Sequence, residues 1–355
     1  MKLKTQITIL SLLFLFSINS FAENLSPVNS KDRDIRKEYS EFKNHHLLDN
    51  HSFKLFKYSY GDKYKYISLP LPIILWDNGL QIFLSSKFYF GKEIAEHNGN
   101  YYRLYHNKIY KTDETGTINY NPKGRVSNIK PYDFSVTKNV GFILICFVLM
   151  IVVFGKMARS YKKNSIPTGL GRLLEPIVLY IRDDIARPNI GEKHYKRYMS
   201  FLLTVFFFIW FVNLFGLTPL GSNVTNNIAV TASLALLTYV ITTVTANKSY
   251  WGHIFWMPGV PTPMKLILAP IELLGTFIKP FSLMIRLYAN MTAGHVVLMS
   301  ILGLIFIFKS WIGGSLSFGL AFALCLLELL VCVLQAYIFT MLSALYFGAA
   351  VEEHH

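Results

Sequence analysis

The sequence has 355 residues, of which 52% are hydrophobic and only 16% are charged, a composition too apolar for an ordinary soluble domain. It predicts an integral membrane protein. The formal net charge of +14 could indicate nucleic-acid binding, but the basic residues collect beside apolar segments, where they are better explained as topology signals. We therefore expect no nucleic-acid partner. The three cysteines, Cys146, Cys325 and Cys332, all lie within apolar segments, which predicts neither a disulfide framework nor a zinc site.

The first 22 residues have the pattern of a cleavable secretory signal. Lys2 and Lys4 precede an apolar segment at residues 7–18, and the pattern ends at Ala22. This segment is too short to span a membrane in the mature protein. We expect cleavage after Ala22, with an uncleaved anchor as the alternative.

Residues 23–138 are polar and rich in tyrosine, and they contain no long apolar segment. Alternating stretches at residues 64–69, 73–76 and 80–84 predict strands, and the Asp-Asn-Gly sequence at residues 77–79 is typical of a hairpin turn. The sequence thus predicts a small periplasmic extension that contains β-hairpins.

A cluster of potential metal ligands lies near the start of this extension. It consists of His45, His46, Asp49 and His51. The spacing fits no established metal site, so we expect solvated histidines and no bound metal.

Five apolar segments predict membrane-spanning helices. Their predicted bounds are residues 139–155, 198–217, 228–246, 266–308 and 316–351. The first is followed by the basic residues Lys156, Arg159, Lys162 and Lys163, and the positive-inside tendency places that end in the cytoplasm. The mature N-terminus would then be periplasmic, and the tail at residues 352–355 would be cytoplasmic.

The polar connections also have recognisable patterns. Residues 156–197 predict a basic cytoplasmic loop, within which residues 169–191 have the apolar spacing of an amphipathic helix on the membrane interface. A soluble loop helix is the alternative. Residues 248–265 contain two tryptophans and three prolines, which predict aromatic anchors and no regular helix. We expect an outer turn at residues 309–317, which include the pair Gly313 and Gly314.

Arg286 lies in the middle of the apolar segment at residues 266–308. A guanidinium stays protonated, and a cation at membrane depth costs on the order of 3 kcal/mol, so this residue needs a functional reason. A straight helix of this length would be roughly 64 Å long, whereas the hydrocarbon core is about 30 Å thick. Either two helices join near Pro280 or one helix is tilted by roughly 60 degrees.

A polar stripe accompanies this arginine. Ser282, Arg286 and Asn290 are four residues apart and share one face of the predicted helix. Lys279 and Glu272, which are 7 and 14 residues before the arginine, extend nearly the same stripe. Such a stripe at membrane depth is expected to face protein or a water-filled cavity.

A second stripe lies on the last predicted helix. Glu328, Gln335 and Tyr346 are separated by 7 and 11 residues, which brings their side chains back to one face. This helix would also need a steep tilt, since about 35 residues exceed the length needed to span.

His295 lies nine residues beyond Arg286, roughly 13 Å along the helix and about half a turn round it. Histidine and carboxylate groups can exchange protons. Our hypothesis is that His295 and Glu328 lie across two adjacent helices and relay protons on the outer side, with Asn213 nearby. The alternatives are a packing histidine and a glutamate that is the buried partner of a lysine.

These residues resemble a known family. The a subunit of rotary F-type ATP synthases has a similar pattern, which here comprises Glu272, Lys279, Pro280, Ser282, Arg286, Asn290 and the triplet Ala293, Gly294 and His295. The resemblance covers residues 198–347 well and residues 169–191 moderately, and it gives no account of residues 23–138. Some family members have a glutamate in the place of His295 and a histidine in the place of Glu328, and the family also shows the arrangement found here.

The resemblance implies that Arg286 faces the ring of c subunits, whose carboxylates rotate past it, and that Gln335 packs near the arginine. It implies partners, namely the c-subunit ring, the b-subunit peripheral stalk, other ATP synthase subunits and membrane lipid. It implies no cofactor and no catalysis in this chain, and no GxxxxGK[ST] nucleotide-binding sequence occurs in it.

The expected fold is an all-α polytopic membrane protein of five transmembrane helices and one interfacial helix, with the last two helices long and strongly tilted. Residues 198–351 would form a four-helix proton-channel domain in a cell inner membrane. Two offset aqueous half-channels would pass protons to and from the c-ring, and Lys279 and Glu272 would line the cytoplasmic one. The alternatives are a secondary transporter or ion channel that uses the same buried charges, and a membrane scaffold with a periplasmic recognition domain.

Overall fold

The computed structural model describes residues 49–60, 63–91, 93–163, 169–218, 224–257, 260–307 and 311–352. The predicted signal segment at residues 1–22 lies outside these residues, as do His45 and His46 and the last three residues of the predicted tail.

The chain is mainly helical from residue 138 onwards. The α-helices are α1 Lys138–Lys163, α2 Leu170–Tyr180, α3 Arg187–Ile190, α4 Tyr195–Gly216, α5 Ile228–Thr245, α6 Lys248–Phe255, α7 Thr262–Ile307 and α8 Trp311–Val351. Five of them, α1, α4, α5, α7 and α8, are long and apolar enough to cross a membrane. The predicted all-α polytopic membrane fold with five spans is confirmed.

The region before α1 is a small β domain. Its strands are β1 Ser52–Tyr60, β2 Lys63–Pro70, β3 Pro72–Trp76, β4 Leu80–Leu84, β5 Ala95–His97, β6 Asn100–Tyr105, β7 Lys108–Thr112 and β8 Tyr132–Asp133. They form three antiparallel sheets, with the strand orders β1-β2, β4-β3-β8 and β5-β6-β7. The hairpin predicted between β3 and β4 is confirmed, and Asn78 and Gly79 adopt the positive φ angles, 47° and 133°, that its turn requires.

His51 is a buried residue of this domain, so the prediction of a solvated histidine is wrong for it. Its Nε2 lies 2.8 Å from Oδ2 of Asp133. Burial acts to raise the pKa of Asp133, but hydrogen bonds from His51 and Ser135 outweigh it and lower that pKa to about 2. Oδ1 of Asp49 accepts the backbone N–H of Asn139 at 3.1 Å. These contacts make His51 and Asp49 structural attachments within the described part of the chain.

The first membrane helix is longer than predicted, because α1 covers 26 residues where the sequence predicted 17 at 139–155. Lys156, Arg159 and Lys162 are good helix formers, so the helix continues beyond its apolar part. At the other end, the backbone N–H of Lys138 donates to the carbonyl oxygen of Asn50 at 2.8 Å, which fixes the β domain to the first turn of the helix.

The interfacial segment forms the predicted helix with one irregularity. A π-helical turn at Ile181–Ala186 joins α2 to α3. Asp183 within it forms ion pairs of 2.8 Å with both Arg182 and Arg187, while Ile181 and Ile185 are buried on the opposite side. The turn therefore separates a charged surface from an apolar one.

The loop at residues 248–265 differs from the prediction, because it contains the regular helix α6. Asn247 precedes this helix and anchors it to the end of α8. Its backbone N–H donates to the carbonyl oxygen of Ala350 at 2.8 Å, and its side-chain amide donates to that of Val351 at 3.0 Å. The helix is short and aromatic-rich, so its local sequence alone favours a helix only weakly. The hydrogen bonds from Asn247 to the end of α8 stabilise it.

The last two helices are α7, with 46 residues, and α8, with 41. At 1.5 Å per residue they are roughly 69 and 62 Å long, about twice the hydrocarbon thickness, so both must be steeply inclined in a bilayer. Pro270 and Pro280 lie inside α7, so the single-helix alternative is the correct one. Gly313 and Gly314 lie within α8, and the prediction of a turn there is wrong, because membrane helices tolerate glycine well.

The membrane core is formed mainly by α4, α7 and α8. Tyr198 of α4 stacks on Phe347 of α8 with ring centroids 4.6 Å apart. Leu287 and Met291 of α7 belong to the same buried cluster as Phe339 of α8. This packing fixes the faces that α7 and α8 turn towards each other.

Gly348 lies at a close approach between α8 and α3. A Cβ atom at this position would overlap the carbonyl oxygen of Asn189, a backbone atom that cannot rotate away. We expect Gly348→Ala to lower the free energy of unfolding by about 3 kcal/mol or more, measured by thermal denaturation of the purified complex. Gly319→Ala is the matched control, since a Cβ at residue 319 of the same helix meets nothing within 4 Å. Equal stability of the two variants would contradict this account.

Candidate functional site

Helix α7, which carries Arg286, has one face packed against the rest of the chain and one exposed face. Leu283, Leu287 and Met291 are buried, whereas Ser282, Arg286 and Asn290 are exposed. In the part of the chain that the structure describes, no acidic side chain forms an ion pair with Arg286. A permanent cation thus lies on a surface of a membrane helix that this chain leaves uncovered.

His295 and Glu328 meet between α7 and α8. Nδ1 of His295 lies 3.2 Å from Oε1 of Glu328, and their side chains are only 3% and 5% exposed. The structure therefore brings together the histidine and the carboxylate that the sequence pairs across two adjacent helices. A buried carboxylate beside an imidazole can hold or transfer a proton.

Gly294 makes room for this pair, a role that sequence reasoning missed. A Cβ atom at residue 294 would lie 3.1 Å from Oε1 of Glu328 and 3.4 Å from its carboxyl carbon. The sequence shows only that Gly294 directly precedes His295. The carboxylate that Gly294 contacts, Glu328, is 34 residues further along the chain.

Asn213 is connected to α7 through a short 3-10 turn, Val224–Asn226. The hydroxyl of Thr225 donates to Oδ1 of Asn213 at 2.8 Å, and the hydroxyl of Thr292 donates to Oδ1 of Asn226. Thr292 is three residues before His295. The polar turn thus links Asn213 of α4 to the part of α7 that carries the histidine.

A small cavity with several polar lining residues lies between α5, α6, α7 and α8, away from the histidine pair. Its volume is about 20 Å³, enough for roughly one water molecule. Its polar lining residues are Thr238, Tyr239, Thr242, Tyr250, Thr276, Lys279 and Tyr346. Nζ of Lys279 lies 5.9 Å from the centre of the Tyr346 ring, so two of the predicted residues meet here.

The threonines of this cavity were missed by sequence reasoning. The hydroxyls of Thr238, Thr242 and Thr276 donate to backbone carbonyls of their own helices at 3.0, 2.8 and 2.7 Å, and each oxygen can still accept a hydrogen bond. The spacing of Thr238 and Thr242 on one face of α5 was the available signal.

Glu272 lies near the same cavity. The pKa of Tyr250 is raised by burial and, to a smaller extent, by Tyr239 and by the negative charge of Glu272. Gln335 is buried in the packed face of α8, and no hydrogen bond joins it to Arg286 in the described part of the chain.

Two families match separate parts of the chain. One, described as ATP synthase A chain, matches residues 140–348. The other, described as a domain of unknown function, matches residues 42–134. The β domain therefore matches a family of its own, separate from the family that the membrane helices match.

Individual relatives agree with the first match. ATP synthase subunit a of Chloroherpeton thalassium is 44% identical over 231 residues, which are 63% of this chain and 69% of the relative. ATP synthase subunit a 2 of Chlorobaculum tepidum is 42% identical over 250 residues, 67% of this chain and 70% of the relative. The subunit a of Pelodictyon phaeoclathratiforme is 40% identical over 257 residues, 70% and 74% of the two chains. With five membrane-spanning helices and these matches, the chain belongs to the family of ATP synthase subunit a, a non-catalytic membrane subunit of that complex.

Proposed function

We propose that this chain forms the stationary proton path of the synthase, with two offset aqueous half-channels that serve the carboxylates of a c-subunit ring. The observation that carries the proposal is Arg286 on the uncovered face of α7, between Ser282 and Asn290. A charge that faced lipid would be costly, so this face suits a protein partner with an acidic group. The c-ring is that partner.

The outer half-channel would use His295 and Glu328, with Asn213 and its polar turn beside them. The 3.2 Å contact between imidazole and carboxylate supports a proton relay, because a positioned histidine and a positioned carboxylate can each act as a proton donor or acceptor. Protons would pass from this pair to a ring carboxylate.

The inner half-channel would use the small cavity beside Lys279 and Tyr346. Its threonine hydroxyls, which donate to backbone carbonyls, can accept hydrogen bonds from water, and Glu272 supplies a negative charge near its cytoplasmic end. Protons would leave the ring along this path. In this arrangement the N-terminal β domain is periplasmic and the C-terminus of α8 is cytoplasmic.

Arg286 would separate the two paths. Its permanent charge favours the ionised form of the carboxylate opposite it, so a proton must leave the ring before the carboxylate passes. The membrane potential contributes about 2.3 kcal/mol per charge per 100 mV, so several protons are needed for each ATP. The b-subunit stalk would hold the chain against the ring, and ATP formation would take place in partner subunits.

Two measurements test the proposal. The chain should co-purify with a c-subunit ring, and the reconstituted complex should pump protons in sodium-free buffer. A chain that purifies without a ring and transports a small solute would support the transporter alternative. A ring-bound complex that pumps only when sodium is present would show that the coupling ion is not the proton.

Gly294→Ala tests whether the position of the Glu328 carboxylate matters for proton transfer. The new methyl group would press on the carboxylate and displace it by a few tenths of an ångström. Because about 1 Å of misplacement can cost roughly 100-fold, we expect proton pumping to fall about tenfold with assembly intact. Gly319→Ala serves as control, since it adds the same methyl group to α8 in open space. Equal pumping rates in the two variants would argue against a positioning role for Gly294.

A further inference from the structure

A long apolar cleft lies between α1, α2 and α4, outside the proton path. Its volume is about 490 Å³. It is lined mainly by apolar side chains, among them Phe147, Met150, Phe154, Val178 and Leu203. The lining residues of α1 extend from Phe147 to Tyr161, roughly 21 Å along the helix. Its occupant must therefore be mainly apolar and lie along α1.

The width of the cleft separates the two apolar occupants that a membrane offers. Its volume and length give a mean cross-section of roughly 23 Å². A helix with side chains is about 10–12 Å across and needs roughly 80–110 Å². A single hydrocarbon chain, at carbon contact distances of about 4 Å, needs roughly 13–16 Å². The space inside the cleft is wide enough for one acyl chain and too narrow for a whole helix to enter.

Both walls of the cleft end in a cation on the same side. Lys162 follows the lining residue Ala158 by one turn of α1, and Lys196 precedes the lining residue Ser200 by one turn of α4. Both lysines are exposed. The two helices are antiparallel, and the C-terminal end of α1 lies beside the N-terminal end of α4. The two cations therefore lie at the same end of the cleft. Nearby, Tyr161 donates its hydroxyl to Glu175 at 2.6 Å, which engages the acidic group at this end.

We propose that the cleft binds an anionic phospholipid, with one acyl chain between α1 and α4 and the headgroup at Lys162 and Lys196. Basic sites between membrane helices recognise such headgroups. The lipid would complete the packing of α1, since only 17% of the most apolar part of this helix is buried within the chain. This site is independent of Arg286 and of the proton relay.

The charge test uses the complex purified from its native membrane and washed with detergent, with the retained phospholipids extracted and counted by mass spectrometry. We expect the double variant Lys162→Gln/Lys196→Gln to lose anionic phospholipid that the wild type retains, with an apparent affinity about 30-fold weaker. The matched control is Lys156→Gln/Arg159→Gln, which removes two charges from the other side of α1. Equal retention in the two double variants would overturn the proposal.

The shape test leaves the lysines in place. Ala158→Trp fills the cleft and should expel the lipid, whereas Val148→Trp, on the other side of α1, should not. A photo-reactive side chain at position 158 should label lipid. Labelling of a partner protein in its place would show that a protein segment occupies the cleft, and the lipid assignment would then be wrong.

Discussion

Arg286→Ala is expected to abolish ATP-driven proton pumping in inverted membrane vesicles. The guanidinium lies on the open face of α7 with no ion-pair partner in the described part of the chain, so its charge is available to a carboxylate of the ring. An electrostatic contribution of about 3 kcal/mol corresponds to a rate loss of roughly 100-fold or more. The measurement is the quenching of a pH-sensitive dye, with assembly checked by co-purification of the ring.

Two companion variants sharpen this experiment. Arg286→Lys should also fail, because a desolvated lysine can lose its proton and arginine cannot. Arg159→Ala removes the same side chain from an exposed position on α1 and should leave pumping intact. Normal pumping by an assembled Arg286→Ala complex would refute the proposed separation of the two half-channels.

Substitution of His295 or Glu328 is expected to have the second large effect on the rate of proton pumping. We expect Glu328→Gln or His295→Ala to slow pumping by about 10- to 100-fold, since losing a positioned acid or base typically costs at least that much. The complex should still assemble, because each substitution removes one member of a contact without adding bulk. Pumping rates are measured across a range of pH.

The exchanged double variant His295→Glu/Glu328→His distinguishes a relay from simple packing. Each single exchange places two like groups against each other, whereas the double exchange restores one imidazole and one carboxylate. Recovery in the double variant means that the two substitutions are not additive, as expected for residues in contact. Unchanged rates in both truncations, or no recovery on exchange, would reject the relay.

Local chemistry made several features predictable from the sequence. The Asp-Asn-Gly turn gave the β3–β4 hairpin because few residues tolerate its positive φ angles. The apolar segments gave five spans, and the four-residue spacing of Ser282, Arg286 and Asn290 gave a shared face that the structure contains.

Long-range contacts account for what the sequence did not reveal. His51 is buried because Asp133, 82 residues later, pairs with it. Helix α6 depends on hydrogen bonds from Asn247 to the end of α8, and the role of Gly294 depends on a carboxylate of a different helix. The lysines at the two walls of the cleft looked like topology signals, and only the antiparallel packing of α1 and α4 brings them to one place.

The attachment of the β domain to α1 has a mechanical consequence. Asp49 and Asn50 are hydrogen-bonded to the first turn of the helix, and Leu71 lies over Gly141, so no free joint separates the two. A probe fixed to the β domain would therefore turn and tilt together with the helix. The domain offers a rigid handle from which movements of the membrane helices under load can be read.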